Sequence, residues 1–206
     1  MPASLSWRRD AEAESMTPDA AASDQQLVAA FRAGNEDAFD RIFLRYQEYV
    51  YNVCLGILGN PDDARDSAQE AFLRVHRSIE RFKGRAALAT WIYRITVNEC
   101  LGRIRRKPAH PPLPMDDPRT LALTDDAAPP GDGLARAHDE RVVRQLVAGL
   151  PADYRAALVL RYFQDLSYEE MRDVLGWSLP QVKVKLHRAR KAFAREYSRL
   201  QDQEAL

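Results

Sequence analysis

The stretch from Leu166 to Phe193, LSYEEMRDVLGWSLPQVKVKLHRARKAF, leaves the chain little freedom: it prescribes two short helices around a glycine turn. Ser167 with Glu170 three residues on is a capping box, which starts a helix with its orphan amides satisfied, and Gly176 stands where that helix must end. Ser178 caps a second helix, and Pro180 falls in its first turn, where a missing N–H costs little. At about 100° per residue, Val182, Leu186, Ala189 and Phe193 share one stripe, while Lys183, His187, Arg188 and Lys191 lie opposite. No acid occurs from Val174 through Arg195, although that span carries Lys183, Lys185, Arg188, Arg190, Lys191 and Arg195; a merely solvated helix mixes its signs. One face packs and the other meets phosphate and base edges, which describes a helix-turn-helix with a DNA-reading side.

The rest of the chain is helical in pattern too. Ser23 and Gln26 form a second capping box, opening a helix that stops at Gly34. Asn35 caps the next, where Phe39, Ile42, Phe43, Tyr46, Val50 and Val53 keep helical spacing to about Leu58. Asn60 and Pro61 start a third helix, predicted to run to about Phe82, followed by a loop from Lys83 to Thr90 and a helix carrying Trp91, Ile92 and Ile95 on to Arg106. Residues 108–133 hold seven prolines, five acids and two glycines and cannot form a continuous helix, so they read as a linker. Beyond it, Ala137 to Leu150 and Pro151 to Phe163 are helical, and no β pattern of useful length appears. The expected architecture is all-α: a loose tail at 1–23, a helical domain at 24–107, a flexible linker at 108–135 and a second helical domain at 136–206.

Of 206 residues, 30 are basic and 30 acidic, yet this zero balance is unevenly spread. Basic residues outnumber acidic ones 14 to 11 in 24–107 and 13 to 10 in 136–206, while acids lead 5 to 1 in 108–135. Two mildly basic blocks around an acidic spacer suit a nucleic acid gripped at two places better than a membrane or an acidic small substrate. No run approaches a membrane span, and Arg8-Arg9 is followed by Asp10, Glu12 and Glu14 rather than an apolar segment, so neither export nor insertion is expected and the chain reads as cytoplasmic. Cys54 and Cys100 lack a CxxC or a neighbouring His/Cys cluster. They read as core-filling thiols, with a redox pair as the alternative, and no metal or cofactor is expected.

The third helix carries a second signal. Ala68, Phe72, Val75 and Ile79 form its core stripe; outside that stripe, Asp62, Asp63, Asp66, Gln69 and Glu70 make the first half acidic, and Arg74, Arg77 and Arg81, running into Lys83 and Arg85, make the second half basic. The gradient complements the helix dipole, which accounts for a few tenths of a kcal/mol per charge. The same gradient also suits an acidic end docked on a basic protein and a basic end near DNA.

These residues together resemble the bacterial sigma-seventy family, in its compact extracytoplasmic-function group with only region two and region four domains. DARDSAQEAFLRV at Asp63 to Val75 is similar to the core-polymerase-binding helix, FKGRAALATWIYRITVN at Phe82 to Asn98 to the promoter-melting loop and its following helix, and LSYEEMRDVLGW…VKLHRARKAF to the upstream-element reader. The resemblance implies that Asp66, Gln69 and Glu70 contact core RNA polymerase. It implies that Phe82, Lys83, Arg85, Thr90 and Asn98 surround a base flipped from the downstream promoter element. It places Lys183, Val184, His187 and Arg188 on the upstream element in the major groove, with Lys185 on phosphate. Gln181, at a position outside the family pattern, is a candidate to read adenine, with a glutamine that merely faces water as the alternative. The resemblance implies promoter DNA and an anti-sigma factor as further partners, and a chain that catalyses nothing itself. Two positions depart from the family pattern, Gly102 where an acid is common and Pro180-Gln181 in place of Gly-Thr; both bear on which promoter is read.

Two other functions fit parts of the pattern. A stand-alone dimeric helix-turn-helix regulator explains residues 139–197 but leaves the acidic helix and the Phe82–Trp91 segment without purpose. An enzyme acting on nucleic acid would need a phosphate-cradling glycine loop, a zinc set or paired carboxylates for metals, and the sequence offers none of these.

Overall fold

The computed structural model describes residues 22–106 and 142–204; the expectations for the tail up to residue 21 and for the linker fall outside the described residues. Every regular element among the described residues is helical. α1 (Asp24–Arg32) opens on the Ser23–Gln26 capping box, and Gly34 turns the chain with φ 93°. α2 (Asp37–Leu58) ends on Gly59 in the left-handed region, φ 72°, where glycine avoids the Cβ clash. α3 (Pro61–Ser78) starts with the Asn60 side chain accepting from the amides of Asp62 and Asp63, both at 3.0 Å. α4 spans Leu88–Arg106. Residues 142–148 form α5, followed by α6 (Ala152–Leu158), which widens into a π turn over Val159–Phe163. α7 (Tyr168–Leu175) and α8 (Leu179–Glu204) make the helix-turn-helix, with the predicted Ser167–Glu170 box and Gly176 at φ 68°.

Three boundaries differ from the sequence reading. α3 stops at Ser78 and tightens into a 3₁₀ turn, Ile79–Arg81, before Phe82 goes extended. The loop is short, since α4 begins at Leu88, whose side chain and that of Thr90 are both buried and draw the first turn into the core. Asn35 does bond the amide of Asp37 at 3.1 Å, but the residue in the capping position is Glu36, which makes no side-chain cap.

α1 to α4 pack as one bundle. Asp24 ties α1 to α2 through Arg45 at 2.7 Å and the Tyr46 hydroxyl at 2.6 Å, and burial together with that carboxylate pushes the tyrosine pKa up. The two helical units anticipated from the sequence are present, and they are pressed together: one continuous set of buried side chains runs from Leu27 in α1 to Ala189 in α8. Gly56, in the last turn of α2, admits the other half so closely that a Cβ on it would lie 2.7 Å from Val159 Cγ2, which accounts for glycine where alanine is the better helix former. Arg155 of α6 donates to the carbonyls of Leu150 at 2.6 Å and Ile57 at 3.2 Å; its burial lowers its pKa, and its charge sits at the negative end of α2. Tyr93 of α4 donates to Gln164 at 3.4 Å. Periodicity marks which face of a helix is apolar but not which helix covers it, so this junction was illegible in the sequence.

Candidate functional site

Three surfaces carry the sequence-predicted site residues. The first is the exposed side of α3. Ala64, Ala68, Ala71, Phe72 and Val75 are buried, which turns Asp66 and Gln69 outward, with Glu70 partly covered. They line a groove of about 450 Å³ together with Leu73, Arg74, Glu99, Arg103 and Arg106. The acids are not bare. Arg103 reaches Asp63 at 2.9 Å and Asp66 at 3.0 Å; burial works against its charge, but those bonds prevail and raise its pKa. Arg74 approaches Glu70 at 3.4 Å and meets Glu99, 3 % exposed, at 2.7 Å, and Arg106 meets the other oxygen of Glu99 at 2.9 Å. The groove is therefore a mixed-charge surface, held by α4 residues that sequence reasoning did not connect to α3. Leu73 in its lining is exposed and adds apolar area, and the exposed Phe43 is set edge-on to Phe72 of α3 at 4.7 Å between ring centroids.

The second surface is a cavity of about 550 Å³ at the start of α4. Arg32 of α1 holds its rim by donating to the carbonyls of Ile79, at 3.4 Å, and Phe82. Phe82 and Trp91 pack with ring centroids 5.2 Å apart, and Lys83, Arg85, Thr90 and Arg94 complete most of the wall. Aromatic rings among cations form a stacking platform with phosphate partners. Trp91 packs on the core and lines the cavity at once. Asn98 is exposed but is not brought into this wall: it lies two turns beyond Thr90 on α4, with Arg94 midway. Arg94 was missed in the sequence, and its spacing of four from both Thr90 and Asn98 was the available signal. Arg172 and Asp173 of α7 also line the cavity, and nothing local in the sequence indicated that.

The third surface is α8. Val182, Leu186 and Ala189 are buried and Phe193 is partly covered, so Lys183, Val184, His187 and Arg188 point outward, Val184 with 47 % of its surface exposed. Such a face offers cations for guanine or phosphate and a methyl-bearing side chain for thymine. Two neighbours are engaged internally. Gln181 accepts from the Ser178 amide at 2.8 Å while its own amide reaches the Ser178 hydroxyl at 3.4 Å, a capping box that occupies its side-chain oxygen. Lys185 is ion-paired to Asp153 and lies 4.1 Å over the Trp177 ring, so it ties α8 to α6.

Cys54 and Cys100 are free, buried thiols with sulfurs 3.5 Å apart; the bond between them and then burial push the Cys54 pKa up. Among the described residues no group of three or more His, Cys, Asp and Glu side chains could hold a metal ion, and no helix is long and apolar enough to cross a membrane.

An all-α chain with a helix-turn-helix near one end and a cationic aromatic cavity at the start of α4 is built as a DNA-binding transcription protein. The Sigma-70 region 2 model matches residues 42–109, and the Sigma-70, region 4 model matches residues 140–193. The chain is 33% identical over 175 residues to the RNA polymerase sigma-H factor of Pseudomonas aeruginosa, covering 82% of this chain and 91% of that protein. It is 33% identical over 178 residues to the ECF RNA polymerase sigma factor SigW of Bacillus subtilis, covering 84% and 95%. The chain belongs to the sigma-70 family, in its extracytoplasmic-function group. Among solved structures, the fold is similar to CnrH in complex with the cytosolic domain of CnrY, with TM-score 0.63, 20% identity and coverage of 85% of this chain and 97% of that one. It is also similar to the sigma factor RpoE in complex with the anti-sigma factor NepR from Bartonella quintana, with TM-score 0.58, 18% identity and coverage of 76% and 94%.

Proposed function

We propose that this sigma factor docks on core RNA polymerase through the α3 groove, with Asp66, Gln69 and Glu70 as its contacts. It holds a base flipped from the downstream promoter element among Phe82, Lys83, Arg85 and Thr90, and reads the upstream element in the major groove with Lys183, Val184, His187 and Arg188. What carries the reading is the presence in one chain of an outward basic face on α8 and a cationic cavity with the Phe82–Trp91 pair, each in a segment matched by a sigma-70 region model. Base stacking on the rings and bonds to the flanking cations offset the few kcal/mol lost on unstacking. Arg94 joins this set, and Asn98 serves the strand further along α4. Lys185 supports α8 from behind, and Gln181 contributes through its cap and its free amide nitrogen.

The chain supplies binding and positioning, and polymerase forms the phosphodiester bonds. It works in the cytoplasm, where core polymerase and promoter DNA are. The similar chain solved with the anti-sigma factor NepR supports an anti-sigma protein as its regulator.

Core binding is tested by copurification. Asp66→Arg with Glu70→Arg reverses the charge of the groove at two side chains outside the core stripe, so polymerase should no longer copurify while helicity by circular dichroism stays at the native value. Undiminished copurification would overturn the assignment of Asp66 and Glu70 as docking contacts.

A further inference from the structure

Among the side chains lining the α3 groove, Asp66, Glu70 and Glu99 are matched by Arg74, Arg103 and Arg106, so the lining carries no excess of negative charge to offer a basic partner. The three arginines are not alike. Arg74 and Arg106 share the two oxygens of the buried Glu99, and Arg74 only approaches Glu70, at 3.4 Å; both are about half exposed and can swing outward. Arg103 of α4 is 24 % exposed and sets two nitrogens on one oxygen of Asp63, Nε at 3.2 Å and Nη2 at 2.9 Å. The same Nη2 reaches across to Asp66 at 3.0 Å. Asp63 is thus the anchor and Asp66 the acid being held, and Asp66, 63 % exposed, is the most open of the three carboxylates that line the groove.

A cation arriving at Asp66 therefore meets a guanidinium already bonded to that carboxylate. Arg103 cannot step aside, because Asp63, largely buried, would keep its charge and lose its partner. Two effects of Arg103 oppose each other. Holding Asp66 in one rotamer spares a partner the entropy of fixing a short side chain with two torsions. Against that, two cations are brought within reach of one carboxylate, and their repulsion strengthens about fourfold between bulk water and a protein surface as docking excludes solvent. Repulsion is the larger. We propose that Arg103 is a competing cation built into the docking groove: anchored on Asp63, it holds Asp66 against the basic partner and keeps the affinity for core RNA polymerase below what the acids of the groove alone would give. That role rests on the reading of the groove as the polymerase-docking site.

Three substitutions at Arg103 separate charge from structure. Arg103→Met removes the charge and keeps an unbranched side chain of good helix propensity. Arg103→Gln removes the charge but can still donate to Asp63, which keeps the test open if Arg103→Met loosens the fold. Arg103→Lys keeps the charge. Each is made in the full chain, labelled with fluorescein at its amino terminus and titrated with core RNA polymerase at low and high potassium chloride, with anisotropy as the readout and circular dichroism as the fold control. Asp66→Asn, alone and combined with Arg103→Met, completes a double-mutant cycle.

At low salt, Arg103→Met and Arg103→Gln should each bind core polymerase about fivefold tighter than the native chain, and Arg103→Lys should stay within about twofold of it. The gain should shrink at high salt, where a purely structural effect would not change. Asp66→Asn should weaken binding, and adding Arg103→Met to it should bring a smaller gain than in the native chain. Binding by both neutral variants no tighter than native, or a gain indifferent to salt, overturns the competing cation, and a weakened Asp66→Asn then leaves the docking assignment standing. Native affinity in Asp66→Asn overturns Asp66 as a docking contact and the role of Arg103 with it.

Discussion

Glu99 decides how the docking groove above it is held. A carboxylate 3 % exposed is tolerated because Arg74 and Arg106 each meet one oxygen, and Arg74 extends the chain of charges to Glu70 on the surface. Both arginines are about half exposed, so they return to water if the carboxylate is removed, and no stranded buried cation remains. Glu99→Gln should therefore cost about 1–3 kcal/mol, less than breaking a pair buried on both sides. Urea unfolding with an unchanged slope measures that loss. Polymerase affinity should fall with it, because Glu70 loses the arginine that orients it; an undisturbed affinity would limit Glu99 to stability. The sequence placed Glu99 beside Asn98 without marking it as buried, since a single acid in a helix has no signature of the partners it will find.

At the scale of the element, α8 separates side chains that the sequence grouped together. Lys183 and Arg188 project from the open face, and replacing either with alanine should weaken promoter binding by about 1–3 kcal/mol and change the preferred upstream sequence. Lys185 lies only two residues from Lys183 but is committed to Asp153 and Trp177. Lys185→Ala should instead loosen α8 and weaken binding to all sequences alike. Selection from a randomised duplex pool with reconstituted holoenzyme distinguishes the two outcomes, and a uniform loss from Arg188→Ala would reduce it to a phosphate contact. The caps at Ser23, Asn60 and Ser167 were legible because capping is local chemistry over three or four residues. The Ser178–Gln181 box is half legible: the sequence marks the serine as a cap, but an outward glutamine suits adenine or water equally well and does not announce that its oxygen closes the box.

At the scale of the molecule, the shared core makes the two halves mutually dependent. Val159 and Leu160 are fully buried, and each such aliphatic side chain contributes about 1.5–3 kcal/mol relative to exposure. The native chain should unfold in one cooperative transition, with calorimetric and van't Hoff enthalpies equal. Arg155→Ala leaves the Ile57 carbonyl at the end of α2 without its cation, and should lower stability by about 1–2 kcal/mol and begin to separate the two transitions in a calorimetric scan. A single sharp peak at the native temperature in that variant would show that Arg155 does not couple the halves.

Much of what lies within one helix was determined by the sequence itself: which segments are helical, the caps at Ser23, Asn60 and Ser167, which face of α3 and α8 is apolar, and the split of charge along α3. These follow from side-chain spacing and from hydrogen bonds spanning three or four residues, and they suffice for the all-α class and the helix-turn-helix. Only the tertiary structure decided that Arg103 neutralises Asp66, that Arg94 and Arg172 reach one cavity from opposite halves, that Asn98 stands away from it, and that Gly56 receives Val159. Each of these depends on which apolar face covers which. That choice is made by the fit of side chains far apart in the chain, and periodicity within a single helix carries no information about it.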